Sequence, residues 1–574
     1  MATSTDLSSA RPSESVELKA SLPKADDGQF NEGLIDRNGV IHSSSDADAE
    51  AAGGDNDPKE KKSLSFYLSF FAINILLFLY SLDATTLAVA IPAIASELHG
   101  STLESFWAGI AYFLGLVVSQ PLYASVSDIF GRKPPLYVAF ALFFAGSLTF
   151  ALAQSMNAIV AGRVIQGLGG GGLDVLGEII VADMTTLKER PLYIGIMALP
   201  IALGSILGPT IGALFSDLVS WRWIGWINLP LLGISFPILA FSLRLRPLES
   251  SFQTKVNRLD WIGMSLFTIG CIAFVLPLSW ADALFPWKSV ETILPLLLGA
   301  IVLVLFAVYE RKPKAPVFPY QVFRSRTAAV TLCGAFLHGM ALYTLLQYVP
   351  LFYQAVLLDG RIESAVTLLP TSIISVVSAM LFVMGVGKGG KGYLPRIWFG
   401  WFLTVLGIGL LCLLSPSSST AMTFGIPIIW GAGIGALLRS LHLPMQASVP
   451  SADDTGHAIA IMLTFRCLGG LIGLAICSTV FNSVFAHAIT AVGHLPDELA
   501  VLRNPPDAIA FIPMLRELNL PADVIAPVLE AYLSAMRAIF YAMLGFSGLG
   551  FVISFFTEEL SLQKTERGRQ QFEA

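Results

Sequence analysis

Fourteen apolar segments, each long enough to cross a bilayer as one helix, leave this chain few folds to choose from. They run Ser65–Pro92, Trp107–Val126, Pro135–Ala153, Asn157–Ala182, Tyr193–Ser216, Trp223–Leu243, Asp260–Ser279, Ile293–Tyr309, Thr327–Tyr353, Ser364–Val386, Leu394–Leu414, Ala421–Leu438, His457–Phe485 and Tyr532–Phe556. In hydrocarbon every backbone polar group must be bonded within the chain, so such segments read as helices packed against one another. Charged residues are only 13% of the 574 and hydrophobic ones 54%, where a soluble chain carries roughly 25% charge. The expected fold class is an all-α polytopic membrane protein.

Loop charge orients it. One set of alternate loops carries Arg132, Lys133, Lys188, Arg190, Arg244, Arg246, Arg311, Lys312, Arg324, Lys388, Lys391, Arg396 and Arg439, among others; the opposite set has Arg222, Lys288, Arg361, Arg503 and Arg516. The positive-inside rule then puts both termini in the cytosol, which requires an even helix count. Residues 1–62, rich in Ser, Asp, Ala and Gly with no apolar run, read as a disordered cytosolic tail rather than a signal peptide. Residues 559–574 form a second cytosolic tail. The five cysteines all fall in apolar runs and show no disulfide or zinc framework. No metal site, cofactor or catalytic group is expected.

The chain repeats itself. QGLGGGG (Gln166–Gly172) precedes YIGIM (Tyr193–Met197) and glycines from Gly204; WGAGIG (Trp430–Gly435) precedes AIAIM (Ala458–Met462) and then Gly469, Gly470 and Gly473. Duplicated six-helix halves are common among secondary transporters. The organisation expected is a six-helix bundle over 63–245, a linker with two further helices over 246–325, and a second bundle over 326–558 with an external loop at 486–531.

One span is costly. The fourth segment carries Arg163, Gln166, Asp174 and Glu178, and an ionisable side chain at membrane depth costs about 2.5–3.5 kcal/mol on insertion scales. Helical geometry puts these four and Gly170 on one broad face, which should line an aqueous path. Two motifs there mislead. Gly167–Gly172 fits G-x-G-x-x-G but lies mid-membrane with no strand before it, and Gly385–Gly392 nearly fits a P-loop but lacks its Ser/Thr and reads as a basic cytosolic turn. Without a nucleotide-binding domain, transport would not be driven by ATP.

The short loop YASVSDIFGRKPPL (Tyr123–Leu136) joins an acid, a turn glycine and two bases between neighbouring helices. It resembles the loop 2–3 signature of the major facilitator superfamily: Asp128, Gly131, Arg132 and Lys133 match, while Ala124 and Ile129 depart from it. GSILGPTIGA (Gly204–Ala213) places Gly204, Gly208 and Gly212 on one small-residue face beside Pro209. It resembles the antiporter signature of that superfamily, with Ala213 for its last glycine. Ser81–Pro92, Trp221–Leu231, Arg258–Gly263 and Phe465–Gly470 are similar to the fourteen-helix drug:H⁺ antiporters of the DHA2 type. The resemblance implies the major facilitator fold, two six-helix bundles plus two inserted linker helices, and a function as a proton-coupled exporter like the fungal toxin and multidrug efflux pumps.

The charges then take roles. Asp83 and Arg163 differ in depth by only about 5 Å, so they can pair, with proton coupling or a static structural pair as the alternatives. Asp174 and Glu178 are further proton or cation sites in the cavity, Glu178 lying near enough to the cytosolic end for an interfacial structural role. Arg466, mid-span, calls for an acidic or carbonyl partner. In the second half Trp430 holds the slot of Gln166, and His338, Tyr343 and Gln347 face it from the ninth segment. The expectation is a division of labour: charge in the first half, an aromatic, weakly polar wall in the second, suited to amphiphilic organic molecules. The expected partners are a small organic substrate, protons and the bilayer, with no nucleic acid, in a monomer at the plasma membrane or, alternatively, the vacuolar membrane. An uptake symporter for a siderophore or nutrient is the second reading, and a membrane sensor or enzyme a remote third.

Overall fold

In the computed structural model every long apolar run is helical, the sixth of them with a break at Ile227. It describes residues 62–563 except 100–101, 247, 249–250, 282–284, 387–391, 494 and 519, together with residues 570 and 572. The N-terminal tail and most of the basic turn after Gly385 lie outside the described residues. Among the described residues, fourteen helices are long and apolar enough to span a membrane. They are α1 Leu64–Glu97, α2 Thr102–Phe130, α3 Lys133–Ala151, α4 Met156–Met184 and α5 Arg190–Leu218, then α6 Asn228–Ser242 after the single turn Trp223–Trp226. Next come α7 Trp261–Trp280, α8 Val290–Tyr309, α9 Arg326–Val356, α10 Arg361–Met384 and α11 Leu394–Leu411. The last are α12 Thr420–Ser440, continued by His442–Ala447, α13 Thr455–Val492 and α14 Ala522–Ser554.

Local chemistry starts several of them. The side chains of Ser63, Ser155 and Ser289 accept the Phe66, Ala158 and Thr292 amides, capping α1, α4 and α8. α14 begins ten residues before its apolar run, because Asp523, Pro527 and Glu530 interrupt the hydropathy but not the helix. The segment before it forms short helices. Its one longer helix, Ala508–Glu517, buries Phe511, Ile512 and Leu515 in the core of the second bundle, and Tyr532 Oη donates to the Ala508 carbonyl at 2.6 Å.

The two bundles repeat each other's packing. α5 lies along α1, while α4 lies between α2 and α3; α13 lies along α9, while α12 lies between α10 and α11. The glycines of the sequence repeat do the same job twice. A Cβ on Gly167 would strike the Tyr112 carbonyl of α2 and one on Gly169 the Phe143 amide of α3; Gly431 and Gly433 meet the Thr371 carbonyl of α10 and the Thr404 amide of α11. Between the bundles, α5 packs on α10 and α2 on α13.

The two additional helices pair with each other, and α7 leans on α2 and α13. At their foot Asp260 accepts the Gly263 amide at 2.9 Å and Tyr309 Oη at 3.0 Å, while Glu310 accepts the Phe318 amide at 3.2 Å. Burial pushes the Glu310 carboxyl up to about 7 from its ordinary 4.5, with Asp260 adding to the effect. The folded state therefore holds this proton more tightly than the unfolded one. The associated stability is complete below pH 4.5 and is lost as pH rises through 7. Glu310→Gln is expected to raise the thermal midpoint at pH 8 and to narrow the gap between pH 5 and pH 8; an unchanged gap in nanodiscs would show that Glu310 does not carry it.

Candidate functional site

Three polar clusters interrupt the apolar interior. The first ties the first bundle together. Arg163 Nη1 lies 2.6 Å from Asp83 Oδ2, and Nη2 donates to the Asp83 carbonyl at 3.2 Å. The other carboxylate oxygen accepts from Asn228 Nδ2 at 3.0 Å and Gln166 Nε2 at 3.4 Å, and both amides also reach Ser147 Oγ. The Tyr112 ring stacks under the guanidinium at 4.3 Å. Asp83, Arg163, Gln166, Asn228 and Ser147 are all buried, so α1, α3, α4 and α6 share one closed network.

The second cluster lies at a cavity between the bundles, of about 120 Å³. Asp174, Glu178, Tyr343, Trp430, Arg439 and Arg466 are among its lining residues. Glu178 on α4 binds across to the other bundle: its Oε1 accepts from Arg439 Nη1 at 2.7 Å and its Oε2 lies 3.2 Å from His442 Nδ1. Arg466 on α13 approaches the far side of that imidazole, at 3.4 Å from His442 Nε2. Asp174, one turn before Glu178, accepts from Gln120 Nε2 at 2.9 Å. Pockets that hold drug-sized ligands measure roughly 300–1,000 Å³, so the cavity is narrow in this state.

The third cluster sits at the α2–α3 turn. Gly131 takes φ +93°, which turns the chain so that Arg132 points back into the bundle. Arg132 Nε donates to Asp183 Oδ2 at 2.8 Å and Nη1 to Ser127 Oγ at 2.9 Å, with Asp128 at 3.9 Å. Gln570 closes the turn, its Nε2 donating to the Ser127 carbonyl and its Oε1 accepting the Arg132 amide. Lys133 opens α3. Nearby, Arg190 joins the Ala182 carbonyl to Gln446 of the second bundle.

Several placements differ from the sequence expectation. Gln166 belongs to the Asp83 network and not to the cavity wall. His338 is fully buried, its Nε2 3.0 Å from the Ile434 carbonyl, and Gln347 is exposed, so neither lines the cavity. Tyr343 and Trp430 do line it. Gly204, Gly208 and Gly212 bring α5 against the Phe78, Leu82 and Thr86 carbonyls of α1, with Pro209 inside the helix. The division of labour has to be corrected. The second bundle contributes Arg439, His442 and Arg466, because α12 runs past the end of its apolar stretch and carries Arg439, taken for a loop charge, into the interior. The nearest partner of Arg466 is an imidazole rather than a carboxylate or carbonyl. Gln120, Asp183 and Asn228 also join these clusters; Gln120 and Asn228 are the single amides of their apolar runs, a signal that the sequence does offer, whereas Asp183 stands just past the end of its run.

Paired bundles around a largely apolar cavity with a few charged groups in its wall define a membrane carrier. The Major Facilitator Superfamily model matches residues 73–474. The chain is 51% identical to the MFS-type transporter sphD of Aspergillus fumigatus (strain CBS 144.89 / FGSC A1163 / CEA10), covering 98% of this chain and 99% of that one. It is 32% identical to the efflux pump FUS6 of Gibberella fujikuroi, over 90% of this chain and 93% of that one. With the acurin A biosynthesis cluster MFS-type transporter of Aspergillus aculeatus it shares 34% identity, over 89% and 93%. Among solved structures, the proton:xylose symporter XylE superposes with a TM-score of 0.53 at 13% identity, covering 88% of this chain and 98% of that one. The chain belongs to the major facilitator superfamily. It is a multi-pass membrane transporter of small molecules.

Proposed function

We propose that this transporter exports small organic molecules in exchange for protons by alternating access, as a monomer in the plasma membrane with both termini in the cytosol. The observation that carries the reading is the buried Glu178–Arg439–His442 bridge, which joins the bundles beside the cavity and has to part when they rock. A carboxylate parted from its cationic partners is free to take a proton, so one side chain links rocking to proton transfer. Asp174 shares the cavity, and the Asp83–Arg163 pair holds α1 to α4 behind it. Relatives named efflux pumps and biosynthesis-cluster transporters support export.

Everted vesicles acidified inside test the reading. Challenged with a panel of amphiphilic organic molecules and read by mass spectrometry, they are expected to accumulate the transported members. Glu178→Gln and Asp83→Asn are expected to lose the part of that accumulation that collapsing the proton gradient abolishes. Unchanged proton-driven accumulation by Asp83→Asn would remove Asp83 from coupling. Movement out of the everted vesicles would replace export with uptake.

A further inference from the structure

Two of the four charges on the cavity wall are spoken for, since Glu178 and Arg439 neutralise each other. The other two make no ion pair among the described residues. Among the described residues Arg466 makes no ion pair; its nearest polar partner is His442 Nε2 at 3.4 Å, its Nε has no hydrogen-bond partner, and the residue is only 4% exposed. Asp174, 2% exposed, likewise makes no ion pair and takes its hydrogen bond from the neutral Gln120 amide. A buried, unpaired charge is costly to keep, and here one of each sign faces the same cavity. They do not bond each other, so neither has a directly bonded partner of opposite charge.

The rest of the wall shows how such a molecule is arranged. Leu342, Leu346, Leu368, Ile201 and Ile206 line the cavity together with Trp430, which stands nine residues before Arg439 on α12, about 13 Å along the axis. The Arg439 charge and the Trp430 ring thus stand well apart along the wall, and Ser81, Thr85, Ser205, Thr371 and Ser372 line it alongside the apolar residues.

We propose that the cavity selects molecules with a zwitterionic head and an apolar body, their acidic group bound by Arg466 and their ammonium by Asp174. The inference rests on the reading of this cavity as the transport site and supplies its substrate class. Each contact is a charge-assisted hydrogen bond to a buried side chain. Asp174 then holds either a proton or the ammonium, which makes binding of cargo and of protons mutually exclusive at that side chain.

Matched eight-carbon probes test it by binding alone, without a gradient. The full chain in nanodiscs is titrated with 2-aminooctanoate, octanoate and octylamine, and the thermal midpoint is followed. 2-Aminooctanoate is expected to bind about tenfold more tightly than either singly charged probe. Asp174→Asn is expected to erase its advantage over octanoate, and Arg466→Gln its advantage over octylamine. Asp174→Glu and Arg466→Lys, which keep the charges, should retain part of both. A wild-type protein that does not favour 2-aminooctanoate overturns the proposal whether or not the variants fold, and so does an advantage that survives in Asp174→Asn and Arg466→Gln. Selective binding with no proton-driven export would sink the exporter reading and leave this one standing.

Discussion

Replacing Arg163 with leucine is expected to destabilise the folded transporter by about 3–5 kcal/mol, the cost of stranding a buried charge, and replacing Asp83 with asparagine by less. The asymmetry comes from what each variant leaves behind. Without Arg163, the Asp83 carboxylate keeps the Asn228 and Gln166 amides at 3.0 and 3.4 Å but loses the cation it pairs with. Without the carboxylate, the guanidinium still has the residue 83 carbonyl and Gln166 Oε1, both at 3.2 Å, and the Tyr112 ring at 4.3 Å. The double variant Asp83→Asn/Arg163→Leu should cost less than the sum of the two, because it strands nothing. Thermal unfolding in nanodiscs measures all three. An Arg163→Leu protein as stable as wild type would mean that the pair is not buried in the membrane-embedded protein. The comparison also separates stability from coupling, since an Asp83→Asn protein that folds well yet loses gradient-driven export has lost the proton step itself.

The spans were legible in the sequence because hydrocarbon leaves a backbone no option but the helix. The repeat was legible for a related reason: two helices that approach to backbone contact exclude any side chain from the contact, so glycine is imposed wherever the packing recurs. Charge carries no such rule. Arg163 and Asp83 could be matched by depth, since both sit inside apolar runs. Arg439 could not, because an arginine at the end of an apolar run looks the same whether the chain leaves the membrane there or continues as a helix. His442 and Gln446 follow it in a stretch of modest hydropathy that the fold buries against α13 and α5. Gln347 erred in the opposite direction: position on α9 was readable, but the face that α9 turns to the cavity depends on packing against α13 and α14.

The glycine repeat yields the second large effect. Gly167→Ala and Gly431→Ala are both expected to reduce the folded yield sharply and to cost about 1–3 kcal/mol where protein is recovered. The atoms that the new methyl would strike are the Tyr112 and Thr371 carbonyl oxygens, parts of α2 and α10. A flexible side chain can swing away, but a carbonyl moves only if its whole helix moves. Gly233→Ala and Gly425→Ala are the controls, since a Cβ at either position meets nothing within 4 Å. There the higher helix propensity of alanine should leave stability unchanged or raise it by up to about 1 kcal/mol. Fluorescence-detected size exclusion followed by thermal unfolding reads all four. Equal behaviour of the two pairs would mean that composition rather than close approach placed these glycines. A loss at Gly167 without one at Gly431 would mean that the bundles share a sequence pattern but not the same tightness of packing, and the rocking of one against the other would then have to be drawn as unequal.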